Sequence, residues 1–328
     1  MAVIDTQTHW YSRTLWDAYL ELDEYPRCRR DGDAYAFELA PDRWFPIRPP
    51  FFELELQLET FDAAGIDTVI SSSASFGDVD RLPVEVAKQI AFELNQERAD
   101  AQREHEGRFF GLATLPWQDT AAALEVLDAA AKLGLKGALI HSNLAGRPID
   151  DEQCRPVYAR LAELGLPLCL HPARTLAEEQ LRDYGLEYVL GYMFDTSTAA
   201  LRLVFSGIVA ENPGLRVVHP HCGATLPYLA GRIDSSHDKP YSLGERLPTL
   251  PSEQLAHFYT DTVCQNPAAL GYARSFYEPG HVVFGSDFPY FSAADELAFV
   301  RESVGDDEAI LAANAAKLFS IEHPAGTA

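Results

Sequence analysis

Nowhere in the 328 residues do eighteen apolar residues run together, which leaves no candidate for a membrane-spanning helix. The N-terminus also lacks the basic segment and small-residue cleavage site of a secretory leader, so a cytoplasmic location is expected. Basic residues are scarce, 26 Lys and Arg against 49 Asp and Glu, for a net charge of −23. That field repels nucleic acid and anionic membrane surfaces, so neither is expected as a partner. A small anionic substrate is admissible only where a metal or a placed arginine reverses the local potential. Cysteine amounts to five residues, Cys28, Cys154, Cys169, Cys222 and Cys264, with no C-x-x-C pair, as expected of reduced thiols. Repeats, low-complexity tracts and linkers are also missing, so one domain over 1–328 is expected. Residues 17–51 are irregular, charged and rich in aromatics and prolines, and read as part of a small early insertion at about 11–55.

What is present is an alternation. Short β-branched runs recur eight times: before Gln7, then at 65–73, 108–116, 135–143, 166–172, 215–221, 257–263 and 282–289. Ala/Leu/Glu-rich segments such as PVEVAKQIAFELNQERADAQREH and DTAAALEVLDAAAKLG separate them with helical periodicity. Strand–helix repetition implies parallel strands with crossover helices. No G-x-G-x-x-G follows the first run, which disfavours a dinucleotide-binding open sheet, and eight units favour an α/β fold of the (β/α)8 TIM-barrel type. Active sites of such barrels lie at the C-terminal strand ends.

The polar residues finishing the runs are Gln7 and His9 on the first, His171 on the fifth, His219 and His221 on the sixth, Asp261 on the seventh and Asp287 on the eighth. Residues two apart on a strand share a face, so each pair points one way. One such histidine alone is more often a hydrogen-bonded core residue. Several strands contributing at one level instead point to an open catalytic metal site. Asp287 has a competing reading as a helix N-cap.

Over nearly the whole chain after the first strand the sequence resembles the amidohydrolase-related decarboxylases typified by 2-amino-3-carboxymuconate-6-semialdehyde decarboxylase and γ-resorcylate decarboxylase. The motifs that carry the resemblance are LNQERADAQREHEGRFFGLATLPWQD, GALIHSNLAGRPID, LGLPLCLHPA, GLRVVHPHCGATLPYLAGRID and VVFGSDFPY. It implies a (β/α)8 barrel with one divalent metal held by Gln7, His9, His171 and Asp287. Asp287 also serves as proton donor, and His221 orients or deprotonates a water on the metal or a substrate hydroxyl. Gln7 departs from the group's pattern, in which this position is His or Glu. The expected ion is zinc, with manganese or magnesium admitted because the amide oxygen of Gln7 is a weaker, harder donor. Asp261 is expected to hydrogen-bond a ligand histidine. His219 is expected in the core.

Carboxylate recognition calls for arginine. By the resemblance, Arg232, eleven residues after His221, reaches a neighbouring subunit's site, which makes the enzyme at least a homodimer, and Arg48 is the other substrate arginine. The competing reading of each is a surface ion pair. Trp10, with Trp44, Phe45, Phe51 and Phe52, is expected to line the pocket or to pack the insertion. The expected function is metal-dependent, non-oxidative decarboxylation of a small aromatic or muconate-like acid. The alternatives are hydrolysis of a lactone or cyclic amide, with metal dispensable, and a ligand-binding barrel that has lost catalysis.

Overall fold

The structure, a computed structural model, describes residues 1–322 other than 24, 41–42, 78, 176, 237–246 and 248. The last six positions of the expected 1–328 domain therefore lie outside the described residues.

Seven of the eight expected runs form strands: β1 (Ile4–His9), β5 (Thr68–Ser72), β6 (Phe109–Gly111), β7 (Ala138–His141), β8 (Leu168–His171), β9 (Val217–His219) and β10 (Tyr259–Thr260). They make two parallel sheets, ordered β1-β5-β6 and β10-β9-β8-β7. The register brings His141 opposite His171 and His9 opposite Ser72, so the strand ends stand level. A single parallel bridge, Ala113 with Ala138, joins the two sheets on one side.

The eighth run, 282–289, is not a regular strand, and its backbone hydrogen bonds show why. Val283 N donates to Thr260 O and Asp287 N to Gln7 O, while Phe284 O and Phe288 O accept from Thr6 N and His9 N. Between these points the amides turn to side chains: Gly285 N donates to Thr262 Oγ1, Ser286 N to Asp5 Oδ1 and Phe288 N to Ser286 Oγ. The segment thus contacts both neighbours without a continuous ladder. Ile4, Ile70, Leu112, Leu139, Cys169, Val218, Tyr259 and Val283, one residue from each of the eight runs, meet in one buried cluster.

The helical segments appear where periodicity places them, including Val84–Glu104 and Thr120–Lys132. Asp119 caps the latter by accepting from Ala122 N at 2.8 Å.

The early segment corrects the expectation of irregular structure. β2 (Cys28–Asp31), β3 (Ala34–Ala40) and β4 (Arg43–Ile47) form an antiparallel sheet. Asp31 pairs with Ala34 across the two-residue turn Gly32–Asp33, and Gly32 at φ +62° matches a tight hairpin led by glycine. Asp-Gly beside the alternating AYAFELA was the sequence signal for it. Tyr35 and Phe37 from β3 join Tyr11, Trp16, Phe51 and Phe76 in a separate aromatic core.

Asp5 is fully buried beneath the strand ends. Its Oδ1 accepts from Gln7 N and Ser286 N, and Oδ2 has no hydrogen-bond partner. Burial pushes this carboxyl up to about 7, against the lowering effect of those bonds. Because the folded value exceeds the unfolded one, the native state binds the extra proton. The resulting penalty is absent below about pH 4, grows as pH rises, and is complete above pH 7. A shift of this size corresponds to a few kcal/mol. Asp5→Asn keeps an oxygen for the two amides, so the variant should match the wild type in denaturant melts at pH 4 and be more stable by about 2–4 kcal/mol at pH 8. Parallel profiles for the two proteins would refute an ionisable buried Asp5.

Candidate metal and active site

β1 delivers His9, β8 delivers His171, the turn after β9 delivers His221 and the irregular eighth segment delivers Asp287; all but His221 are fully buried. His9 Nε2 lies 2.8 Å from Asp287 Oδ1, His171 Nε2 3.6 Å from the same oxygen, and His221 Nε2 3.7 Å from Oδ2. One ligand atom from each of His9, His171 and Asp287 falls within 4.8 Å of the others. The N-cap reading of Asp287 fails, because the next helix, Ala293–Val304, is capped by Ser292, whose Oγ accepts from Asp295 N. Asp287 instead adopts φ +58°, which turns its carboxylate into the group of imidazoles.

The surroundings fix ring orientation. His171 Nδ1 donates to Pro172 O at 3.1 Å, which leaves Nε2 with a lone pair aimed at the cluster and no hydrogen-bond partner. Burial lowers His171 to about 4, so the ring is neutral, as a metal ligand must be. His9 Nδ1 is hydrogen-bonded to Ser72 Oγ at 3.1 Å. Burial opposes ionisation of Asp287, but the neighbouring His171, His221 and His9 outweigh it and hold the carboxyl well below its usual range. At His221 burial lowers the value, yet the carboxylate of Asp287 prevails and the imidazole is raised. The donor set therefore fits a divalent ion: two imidazoles, one carboxylate, and a buried nitrogen left without a partner.

Two expectations change in detail. Gln7 turns its amide nitrogen, not its oxygen, inward: Nε2 stands 3.3 Å from Asp287 Oδ1, to which it donates, and 3.4 Å from His221 Nε2. Asp261 touches no ligand imidazole. Its Oδ1 accepts from the backbone amides of His221 at 2.8 Å, Cys222 at 3.4 Å and Val263 at 3.0 Å, which holds the turn bearing His221 at φ +58°. Burial raises Asp261 to about 6. A Cβ added at Gly285 would lie 3.0 Å from both Asp261 Cβ and Gln7 Cβ, a tight contact that glycine avoids. His219 is a core residue as expected, fully buried with Nδ1 3.4 Å from Tyr277 Oη, and burial lowers it to about 3.

A cavity of about 930 Å³ opens over His171, His221 and Asp287. Arg48 is not in its wall; it is exposed and paired with Asp31 at 3.0 Å. Trp10 is not there either, since it packs edge-on against Phe109 and donates through Nε1 to Phe52 O. Trp44 faces Arg29 and Phe52 faces Arg13, whereas Phe45 and Phe51 do line the cavity. Arg232 is exposed on the helix Leu226–Ser236, one turn from Tyr228 at the cavity rim. Among the described residues the arginine that lines the cavity is Arg174, whose guanidinium stacks on Tyr25 at 4.7 Å. Its position three residues after His171 was the available signal. Tyr290 was likewise missed. It accompanies Asp287 on the same turn, bonds to Tyr11 Oη at 2.8 Å, and lies 5.7 Å from the His9 ring.

A model of the amidohydrolase family matches residues 4–321, so the chain belongs to that family. It is similar to the 6-methylsalicylic acid decarboxylase of Penicillium expansum, at 30% identity over 88% of this chain and 85% of that one. Similarity to the 2-amino-3-carboxymuconate-6-semialdehyde decarboxylase of Dictyostelium discoideum is 28% over 62% of this chain and only 57% of the relative. Among solved structures, 5-carboxyvanillate decarboxylase from Sphingomonas paucimobilis superposes with a TM-score of 0.87 at 26% identity, covering 98% of this chain and 99% of that one. The enzyme of the same name from Novosphingobium aromaticivorans, complexed with manganese and 4-hydroxy-3-methoxy-5-nitrobenzoic acid, gives 0.83 at 25%, covering 98% and 96%.

Proposed function

We propose that this chain is a divalent-metal-dependent, non-oxidative decarboxylase of an aromatic or muconate-like carboxylic acid. The observation that carries this reading is the ionised Asp287, held among His9, His171 and His221 at the polar end of a deep aromatic cavity. The named relatives, all decarboxylases, support it, and nothing favours the hydrolase or the decayed barrel.

The two parallel sheets, the eighth segment and the cluster contributed by all eight runs support a closed (β/α)8 barrel as one domain, with the early sheet as an insertion at about 11–55. His9, His171 and Asp287 hold the ion. Two imidazoles and a carboxylate suit zinc, with manganese, which the Novosphingobium relative holds, as the other candidate. Bound there, the ion supplies a Lewis acid that polarises substrate oxygens. Gln7 positions the Asp287 carboxylate by hydrogen bonding.

The ionised Asp287 first takes a proton from protonated His221, whose Nε2 closes from 3.7 Å, and delivers it to the carbon bearing the carboxylate. The C–C bond then breaks, its electron pair stays with the ring, and carbon dioxide leaves. Each turnover consumes one proton, which His221 takes up again from water. Arg174 supplies the positive charge that a chain of −23 needs in order to draw in an anion. Tyr228 and Arg232, exposed on one helix face beside the rim, support a homodimer in which Arg232 serves the neighbouring site. No helix among the described residues is long and apolar enough to cross a membrane, in keeping with a cytoplasmic location.

The test is carbon dioxide release from hydroxybenzoates and muconates. Arg174→Met should raise KM about tenfold or more with a smaller change in kcat, as loss of a charge-assisted contact of roughly 1.5–3 kcal/mol requires. Release of an acid from lactones with no carbon dioxide from any carboxylate would overturn the assignment.

A further inference from the structure

The cavity is far larger than the proposed chemistry requires. About 930 Å³ lies near the top of the roughly 300–1,000 Å³ over which proteins enclose drug-sized ligands, whereas a single-ring acid is a fraction of that size. His171, His221 and Asp287 mark its reactive end, and Arg174 and Glu187 add charge to a wall that is otherwise mostly apolar and aromatic. From the reactive end the wall is a chain of rings. Tyr290 lies 5.7 Å from His9, Phe51 lies 5.5 Å from Tyr290, and Phe45 lies 5.7 Å from Phe51. Tyr188, Val189, Tyr192 and Met193 line the cavity from another part of the chain. An ion pair between half-buried Arg43 of β4 and buried Glu187 ties that segment to the antiparallel sheet carrying Phe45. The wide end is therefore a built wall, cross-linked between two elements.

A benzoate seated at the polar end would reach Tyr290 and leave Phe51, Phe45 and the 188–193 segment facing water. Apolar surface in a concave, cross-linked site favours an apolar occupant. We propose that the substrate is an aromatic carboxylic acid bearing an extended apolar substituent, an alkyl chain or a fused second ring, that lies along Phe51 and Phe45 and against Val189 and Met193. This deepens the decarboxylase reading and rests on it for the orientation of the carboxylate toward His171, His221 and Asp287.

Each buried methylene contributes about a fourfold gain in affinity. The test uses the purified full-length protein and 2-hydroxybenzoic acids carrying hydrogen, methyl, propyl or pentyl at ring positions 4, 5 or 6, with hydroxynaphthoic acids beside them. Dissociation constants are measured by calorimetry and carbon dioxide release is followed in parallel. At one ring position or more, affinity should rise with chain length and exceed that of 2-hydroxybenzoate at least tenfold for the pentyl acid. Val189→Trp, at a position 70% exposed, narrows the wide end and should bring that ratio down at least fivefold. Phe45→Ala, which removes a ring from the wall, should lower it too, and either variant suffices if the other fails to fold. A ratio below about tenfold at every position in the wild type, or one unmoved by a folded variant, overturns the inference. Chain-length dependence without carbon dioxide from any acid upholds the ligand class and sinks the decarboxylase reading instead.

Discussion

Asp287→Asn is expected to lower kcat about 10⁴-fold or more, the upper end of what a positioned proton donor contributes, because the same carboxylate also helps to hold the ion. Asparagine preserves the shape and an oxygen, but it cannot carry the proton, and it removes the negative charge on which three imidazoles converge. The backbone at this position stays anchored by Asp287 N donating to Gln7 O at 2.8 Å, so a native circular-dichroism spectrum and cooperative melting are expected beside the lost activity. A folded Asp287→Asn enzyme with near-wild-type turnover would remove this residue from the mechanism.

The second large effect is at His221. Its ring faces Asp287 and Gln7 from a turn whose backbone amides are fixed by Asp261, so the imidazole has only to close from 3.7 Å to hydrogen-bonding distance to exchange a proton with the carboxylate. His221→Ala should lower kcat by about 10²–10⁴-fold while changing KM by much less, the pattern of an interaction made in the transition state. Metal content should be nearly unchanged, since His221 stands outside the set His9, His171 and Asp287. Loss of the ion in this variant, or a KM effect as large as the kcat effect, would give His221 a binding role instead.

The sequence carried the strand-end residues well because their cause is periodic. A run that alternates every two residues and stops at a polar group announces which side chains stand at its end, and His9, His171 and Asp287 meet accordingly. The resemblance alone marked Arg48 and Arg232, and neither lines the cavity of this chain. Which residue turns inward from a loop is decided by tertiary packing. Arg174 enters the cavity because it stacks on Tyr25, and Tyr25 comes from the early segment, more than a hundred residues away in the chain. Asp261 was placed near the site for the right reason and given the wrong partner. Its oxygen serves the backbone amides of a left-handed turn that nothing in the letters His-Cys-Gly announces. The early antiparallel sheet was hidden by its charged flanks, although Asp31-Gly32 is a hairpin signal in its own right. The eighth segment was readable as extended chain but not as one that exchanges ladder bonds for Thr262, Asp5 and Ser286 side chains.

Metal content per chain is the most direct test of the central claim. Protein purified without chelator and analysed by plasma mass spectrometry should carry one zinc or manganese ion per chain. His9→Ala and His171→Ala should each lose most of it while remaining folded, because an imidazole removed from so small a donor set is not replaced by its neighbours. Full decarboxylase activity in wild-type protein that carries no divalent metal would contradict the account.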